Sequence, residues 1–210
     1  MNRAGRGANG LRRRAVNTRA TLPRLLVVCE GARTEPNYFN AFPVPSMSVE
    51  VVGTGKNTRS LVEEAIRRAK GSAYDEVWWV FDRDSFKADQ VNAAVDMVRA
   101  RAKNKPAFRL AFSNECFEIW YILHFCFINA AVSRTTYADR LTGFLGRPYK
   151  KNDPDMYVAL LPKQPDALRN ACARRALYED DRPAENNPWT SVDDLVRRLN
   201  EIARQAHRLE

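Results

Sequence analysis

Residues 76–84 read Glu76-Val77-Trp78-Trp79-Val80-Phe81-Asp82-Arg83-Asp84. Five consecutive β-branched or aromatic residues suit a strand buried on both faces, as strands of parallel sheets are. Trp78 and Trp79 then project to opposite faces and both belong to the core. The run stops in Asp82-Arg83-Asp84, so acids stand where this strand leaves its sheet. Upstream, Leu25-Leu26-Val27-Val28-Cys29 has the same character and stops in Glu30-Gly31. Residues 47–52 make another strand, closed by Gly53-Thr54-Gly55, and residues 108–112 make a fourth, ending in Ser113-Asn114. Helical spacing fills the gaps: Thr34 caps a short helix to Asn40, a second starts at Thr58 or Ser60 and stops at Gly71, and a third covers 88–102. An apolar helix is expected over 115–127. Alternating strands and helices predict an α/β fold, a mostly parallel four-stranded sheet with helices on both faces.

From residue 133 the pattern turns helical, over 134–145, 154–178 and 190–208. Thr190 or Ser191, followed by Asp193 and Asp194, is a helix-start signal. The expected organisation is a basic arm over 1–22, an α/β core over 23–132, and a helical extension over 133–210 packed on the sheet.

The chain has 210 residues, 45% hydrophobic and 28% charged, which excludes a disordered, collagen-like or coiled-coil chain. No run approaches about 18 uncharged apolar residues, so no membrane span is expected, and the first residues lack the apolar segment of a signal peptide. The four cysteines are scattered without a C-x-x-C pair, which suits reduced thiols in a cytoplasm. Residues 1–24 hold seven arginines and no acid, against a formal net charge of +9 for the whole chain, leaving +2 for the remainder. Such an arm, with Arg12, Arg13 and Arg14 at its centre, either tracks a phosphate backbone or is a solvated tail.

Open parallel sheets bind ligands beyond the carboxyl ends of their strands. Glu30, Asp82 and Asp84 fall there, and Glu118 lies one turn into the following helix. Converging carboxylates repel and need a counter-charge, and hard oxygen donors suit Mg²⁺ or Mn²⁺. A lone acid at a strand end is more often a helix cap or a surface charge, so the weight lies in the combination. Glu115 reads as a helix-start charge. His124 reads as a satisfied core histidine, and Tyr149-Lys150-Lys151 as a solvated loop, with nucleic-acid binding by the two lysines as the alternative. Gly53-Thr54-Gly55-Lys56 lacks the spacing of a nucleotide-hydrolysing phosphate loop, yet Lys56 can still hold a substrate phosphate.

A glutamate after the first strand and an Asp-x-Asp after the third resembles the Toprim domain of topoisomerases and primases. The stretches Val28–Phe39, Phe81–Asp84, Ser113–Phe125 and Asn187–Val196 resemble the motifs of the RloB-like family, with Glu115 where proline is expected. The resemblance spans about residues 19–202. It implies a Toprim-like, metal-dependent endonuclease of bacterial phage defence, cutting RNA such as tRNA ahead of DNA. It implies Mg²⁺ or Mn²⁺ on Glu30, Asp82, Asp84 and Glu118, and an ABC- or AAA-type ATPase partner. Glu35 becomes a ligand, a general base or a pair for Arg33; Arg33, Arg83 and Asn114 join the arm as nucleic-acid contacts. The alternative is a non-catalytic module that binds nucleic acid or an ATPase. Concentrated negative charge facing phosphate argues against a pure binder.

Overall fold

The computed structural model describes residues 21–51, 58–71, 73–83, 86–131, 133–178 and 182–209. Strands β1 (Leu25–Cys29), β2 (Met47–Val51), β3 (Glu76–Asp82) and β4 (Ala107–Asn114) run parallel, as their apolar runs predict. A fifth strand, β5 (Trp189–Thr190), completes the order β2-β1-β3-β4-β5 and is antiparallel to β4. Sequence pattern alone gives four strands, because two residues carry no periodicity. Thr190 pairs with Ser113 there, instead of opening a helix.

Alternate residues of the central strands feed two cores. Leu25, Val27 and Cys29 of β1, with Trp78 and Val80 of β3, face the layer formed by α1 (Thr34–Asn40) and the later helices. Leu26 and Val28, with Val77, Trp79 and Phe81, face α2 (Thr58–Ala69) and α3 (Ala88–Arg99). All of β1 is fully buried. At about 1.5–3 kcal/mol per buried large aliphatic side chain, these strands anchor both layers.

The remaining helices are α4 (Glu118–Ile122), α5 (Arg134–Leu145), α6 (Met156–Leu160), α7 (Gln164–Arg175) and α8 (Val192–His207). Tyr137, Leu160, Ala167 and Leu195 share one core with β1, so the C-terminal half packs directly on the sheet. The expected helix over 115–127 is only α4. Residues 116–123 are all buried, and a segment buried all round gives no periodicity from which to read its length. The expected helix over 154–178 is broken by a 3₁₀ turn at Leu161–Lys163 between α6 and α7. Pro162 and Pro165 supply no backbone donor there. Thr34 does not cap α1: Arg33 holds that position without a side-chain bond, and Thr34 Oγ1 donates to the Lys151 carbonyl (2.8 Å). At the opposite edge of the sheet, Arg198 of α8 bonds Glu76 (2.8 Å), which also accepts from Trp78 Nε1 (3.0 Å).

His124 lies in the core as expected, but it is only half satisfied, because its Nε2 has no hydrogen-bond partner among the described residues. It is buried, its Nδ1 donates to the Trp120 carbonyl (2.9 Å), and its ring meets that of Trp120 edge-on at 4.8 Å. Burial holds its pKa down at about 4, with the Trp120 and Tyr121 carbonyls opposing in part. The unfolded chain therefore takes up this proton first, near pH 6.5, and folding stability falls as the pH drops from there toward 4. Between pH 7 and pH 5 the loss from this residue is about 2 kcal/mol. Urea melts at both pH values check it: in His124→Leu the pH-dependent loss is smaller than in the unmodified protein by that amount.

Candidate functional site

β1 and β3 are neighbours, while β2 lies outside β1 and β4 outside β3. The chain order thus reverses between β1 and β3, and a crevice forms where it does. The Glu30 amide donates to the Val80 carbonyl (3.0 Å), so the chain leaves β1 beside the end of β3. A cavity of about 320 Å³ opens at this point. Four carboxylates line it, Glu30, Glu35, Asp82 and Glu118, together with three cations, Arg33, Arg134 and Lys151. Two of the acids come from strand ends and two from the first turns of α1 and α4.

Each acid is held by its local structure. Glu35 is 6% exposed, and its carboxyl group folds back over Gly31. A methyl group on Gly31 would lie 2.1 Å from Glu35 Oε2, so a side chain here would displace the Glu35 carboxylate from this position. Asp82 Oδ2 accepts from the Phe117 amide (3.0 Å), which ties the end of β3 to the entry of α4. Glu118 is 8% exposed, and its Oε1 accepts from the Tyr149 hydroxyl (3.1 Å). Burial first, and the Glu118 charge second, hold the Tyr149 phenol far above its usual pKa, so it stays a donor. Burial, then Glu118 and Asp82, push up the Cys116 thiol; burial and Glu35 push up Cys29. Both cysteines remain protonated and do not serve as nucleophiles.

Among the described residues no three His, Cys, Asp or Glu side chains stand together as a metal-holding group. Asp84, Lys56, Arg12, Arg13 and Arg14 lie outside the described residues. Arg83 does not line the cavity; its amide donates to the Ser113 carbonyl (2.9 Å) at the sheet edge. Asn114 is fully buried, and its Nδ2 reaches the carbonyls of Pro183 (3.2 Å), Ala184 (3.0 Å) and Asn186 (2.7 Å). That amide clamps the 183–186 turn onto β4. Glu115 is not at the start of α4. Its Oε2 accepts from the Arg134 amide (3.1 Å), so it serves the first turn of α5. Sequence reasoning misses Arg134 and the proximity of Lys151. Arg134 opens α5 and Lys151 stands in a loop, and neither position carries a local signal that it will face Glu30, Glu35 and Asp82.

By fold and site this is a doubly wound α/β protein with a cavity of mixed charge at its switch point. The model of the RloB-like protein family matches residues 25–199, and the chain belongs to that family. No curated protein and no solved structure matches it.

The Asn114 clamp is testable without any ligand. Asn114→Ala leaves three buried carbonyls short of a donor and destabilises the fold by about 3 kcal/mol in urea melts. A loss below about 0.5 kcal/mol would show that this amide is spare for a ligand.

Proposed function

We propose that this RloB-like protein is a Toprim-like, metal-dependent endonuclease that hydrolyses phosphodiester bonds in nucleic acid. The observation that carries the reading is the convergence of Glu30, Glu35, Asp82 and Glu118 with Arg33, Arg134 and Lys151 in one switch-point cavity. Acids alone would repel a phosphodiester, and cations alone would only bind it. The mixture suits a site that takes both a hard cation and a phosphate. RNA such as tRNA ahead of DNA, a phage-defence role, and an ABC- or AAA-type ATPase partner rest on the family resemblance.

The donor chemistry fits Mg²⁺ or Mn²⁺: carboxylate oxygens at adjacent strand ends, with Glu30 Oε2 and Asp82 Oδ1 shielded from solvent. Glu30 and Asp82 would hold the ion, with Asp84 beyond the described residues and Glu118 at the side. Bound there, it would polarise the phosphate and lower the pKa of water. The protein's own residues do the rest. Arg33 and Arg134 hold the non-bridging phosphate oxygens. Glu35, kept over Gly31, takes a proton from the attacking water. The water oxygen bonds to phosphorus, the bond to the leaving ribose oxygen breaks, and that oxygen is protonated from solvent. Tyr149 is a positioning residue that fixes one oxygen of Glu118.

Purified protein incubated with end-labelled tRNA, other RNA and DNA, in Mg²⁺ or Mn²⁺ and in EDTA, tests the reading. Cleavage is expected only with the metal, and Asp82→Ala or Glu30→Ala lowers it by at least about 100-fold with the fold retained by circular dichroism. Cleavage that persists in EDTA or in both variants sinks the proposal. No cleavage of any substrate favours the non-catalytic module.

A further inference from the structure

The acidic cavity is bounded in part by the C-terminal half. Lys151 and Asn152 line it, and they also line a second cavity of about 540 Å³, walled by Arg147, Lys150, Asp153 and Asp155. The two cavities therefore share Lys151 and Asn152 in their walls. The first is rich in carboxylates, and the second carries three cations against two acids.

The loop that forms the second cavity is tied down at several points. It begins at Gly146, which ends α5 in the left-handed region (φ 64°), as a C-terminal glycine does. The Tyr149 amide donates to Thr142 Oγ1 (3.0 Å). Arg147 pairs with Asp153 (2.6 Å), and the Asp153 amide donates to the Lys150 carbonyl (3.1 Å), closing residues 147–153 on themselves. From the sheet side, Thr34 Oγ1 reaches the Lys151 carbonyl and Asn37 Nδ2 reaches the Asn152 carbonyl (3.1 Å). The Tyr149 hydroxyl bonds Glu118. Three side-chain bonds thus join this loop to the walls of the acidic cavity.

The bonds to α1 use the loop's backbone and leave the lysine side chains out. Arg147 spends its charge on Asp153. Burial tends to raise the Asp153 carboxyl, but Arg147, the Asp155 amide and the nearby Lys150 hold it below its usual value, so the pair stays ionised. Among the described residues neither Lys150 nor Lys151 has a carboxylate within ion-pair distance, though acids surround both cavities. Two exposed ammonium groups on a pre-tied loop, neither in a direct ion pair among the described residues, suit an anion from outside. Adjacent cations of this kind suit a polyanion such as a polynucleotide backbone.

We propose that Lys150 and Lys151 form a second phosphate-binding subsite, which takes the backbone phosphate next to the one in the acidic cavity. The substrate strand runs from the switch point across the 147–153 loop. Lys151 stands at the junction and Lys150 one phosphate further out. This rests on the nuclease reading for the identity of the acidic cavity as the reaction centre. The subsite itself requires only that a polynucleotide binds.

Binding without turnover separates the two. The full chain carrying Asp82→Ala is titrated in EDTA with a 5′-fluorescein 12-nucleotide single strand, RNA and DNA in separate arms, by anisotropy over a range of salt. The same chain with Lys150→Glu and Lys151→Glu added is expected to bind about 10-fold more weakly in at least one arm. Its slope of log affinity against log salt falls by about 1 for each phosphate that the lysines no longer neutralise. Arginine at both positions restores the slope, which a merely structural role for the loop would not require. Equal affinity and equal slope in both arms, absence of binding included, overturn the subsite. Failure of the nuclease reading shows instead as no metal-dependent cleavage by the unmodified protein, whatever this titration gives.

Discussion

The pairing of β1 with β3 is the constraint on which the rest of the molecule depends. Both strands are apolar on both faces, so neither can lie at an edge or face water. Their register sets Cys29 against Val80, and the next residues outward are Glu30 on one strand and Phe81-Asp82 on the other. Burial fixes the register, because a slip of one residue would exchange the two cores. The same register brings Glu30 and Asp82 to one cavity where the chain order reverses. The sheet that buries the hydrophobic residues therefore also assembles the polar crevice.

A second set of contacts holds the walls of that crevice. Tyr38 of α1 meets Phe117 and Tyr121 around α4, and Tyr157 of α6, with ring centroids 5.6–5.8 Å apart. Edge-to-face packing of this kind is directional as well as apolar. It keeps α1, which carries Glu35, against α4, which carries Glu118, and brings the C-terminal half into the same cluster. Thr34, Asn37 and Tyr149 then join the 147–153 loop to both walls. The mixed charge of the cavity follows from this packing: the acids come from the α/β core, and Arg134 and Lys151 come from the helical half.

Much of this is legible in the chain. Two of the four parallel strands, β1 and β3, stand out because continuous apolar runs of five residues have few other uses, whereas polar residues interrupt β2 and β4. Glu30 and Asp82 are legible because they end such runs, and a strand end in a parallel sheet is a known place for ligands. Asn114 meets the same criterion, and its Nδ2 is directed at the 183–186 turn. It too ends a strand, but β5 and the 183–186 turn cover that corner, and its amide is used in holding them. Glu118 is legible from its chemistry, a carboxylate in an otherwise apolar helix, while the pattern around its partner Tyr149 resembles that of a solvated loop.

Local sequence determined which segments are strands and helices, where most of them end, and that acids gather at one edge of one sheet. Those properties depend on hydrophobic periodicity, on turn residues, and on the few ways a buried parallel strand can be placed. Tertiary structure alone decided that Arg134 and Lys151 face those acids, that Thr34 serves a distant loop instead of its own helix, and that the Asn114 amide meets the 183–186 turn. Each of these joins residues far apart in sequence. Such pairings are set by how whole layers pack, and no local pattern of residues encodes them.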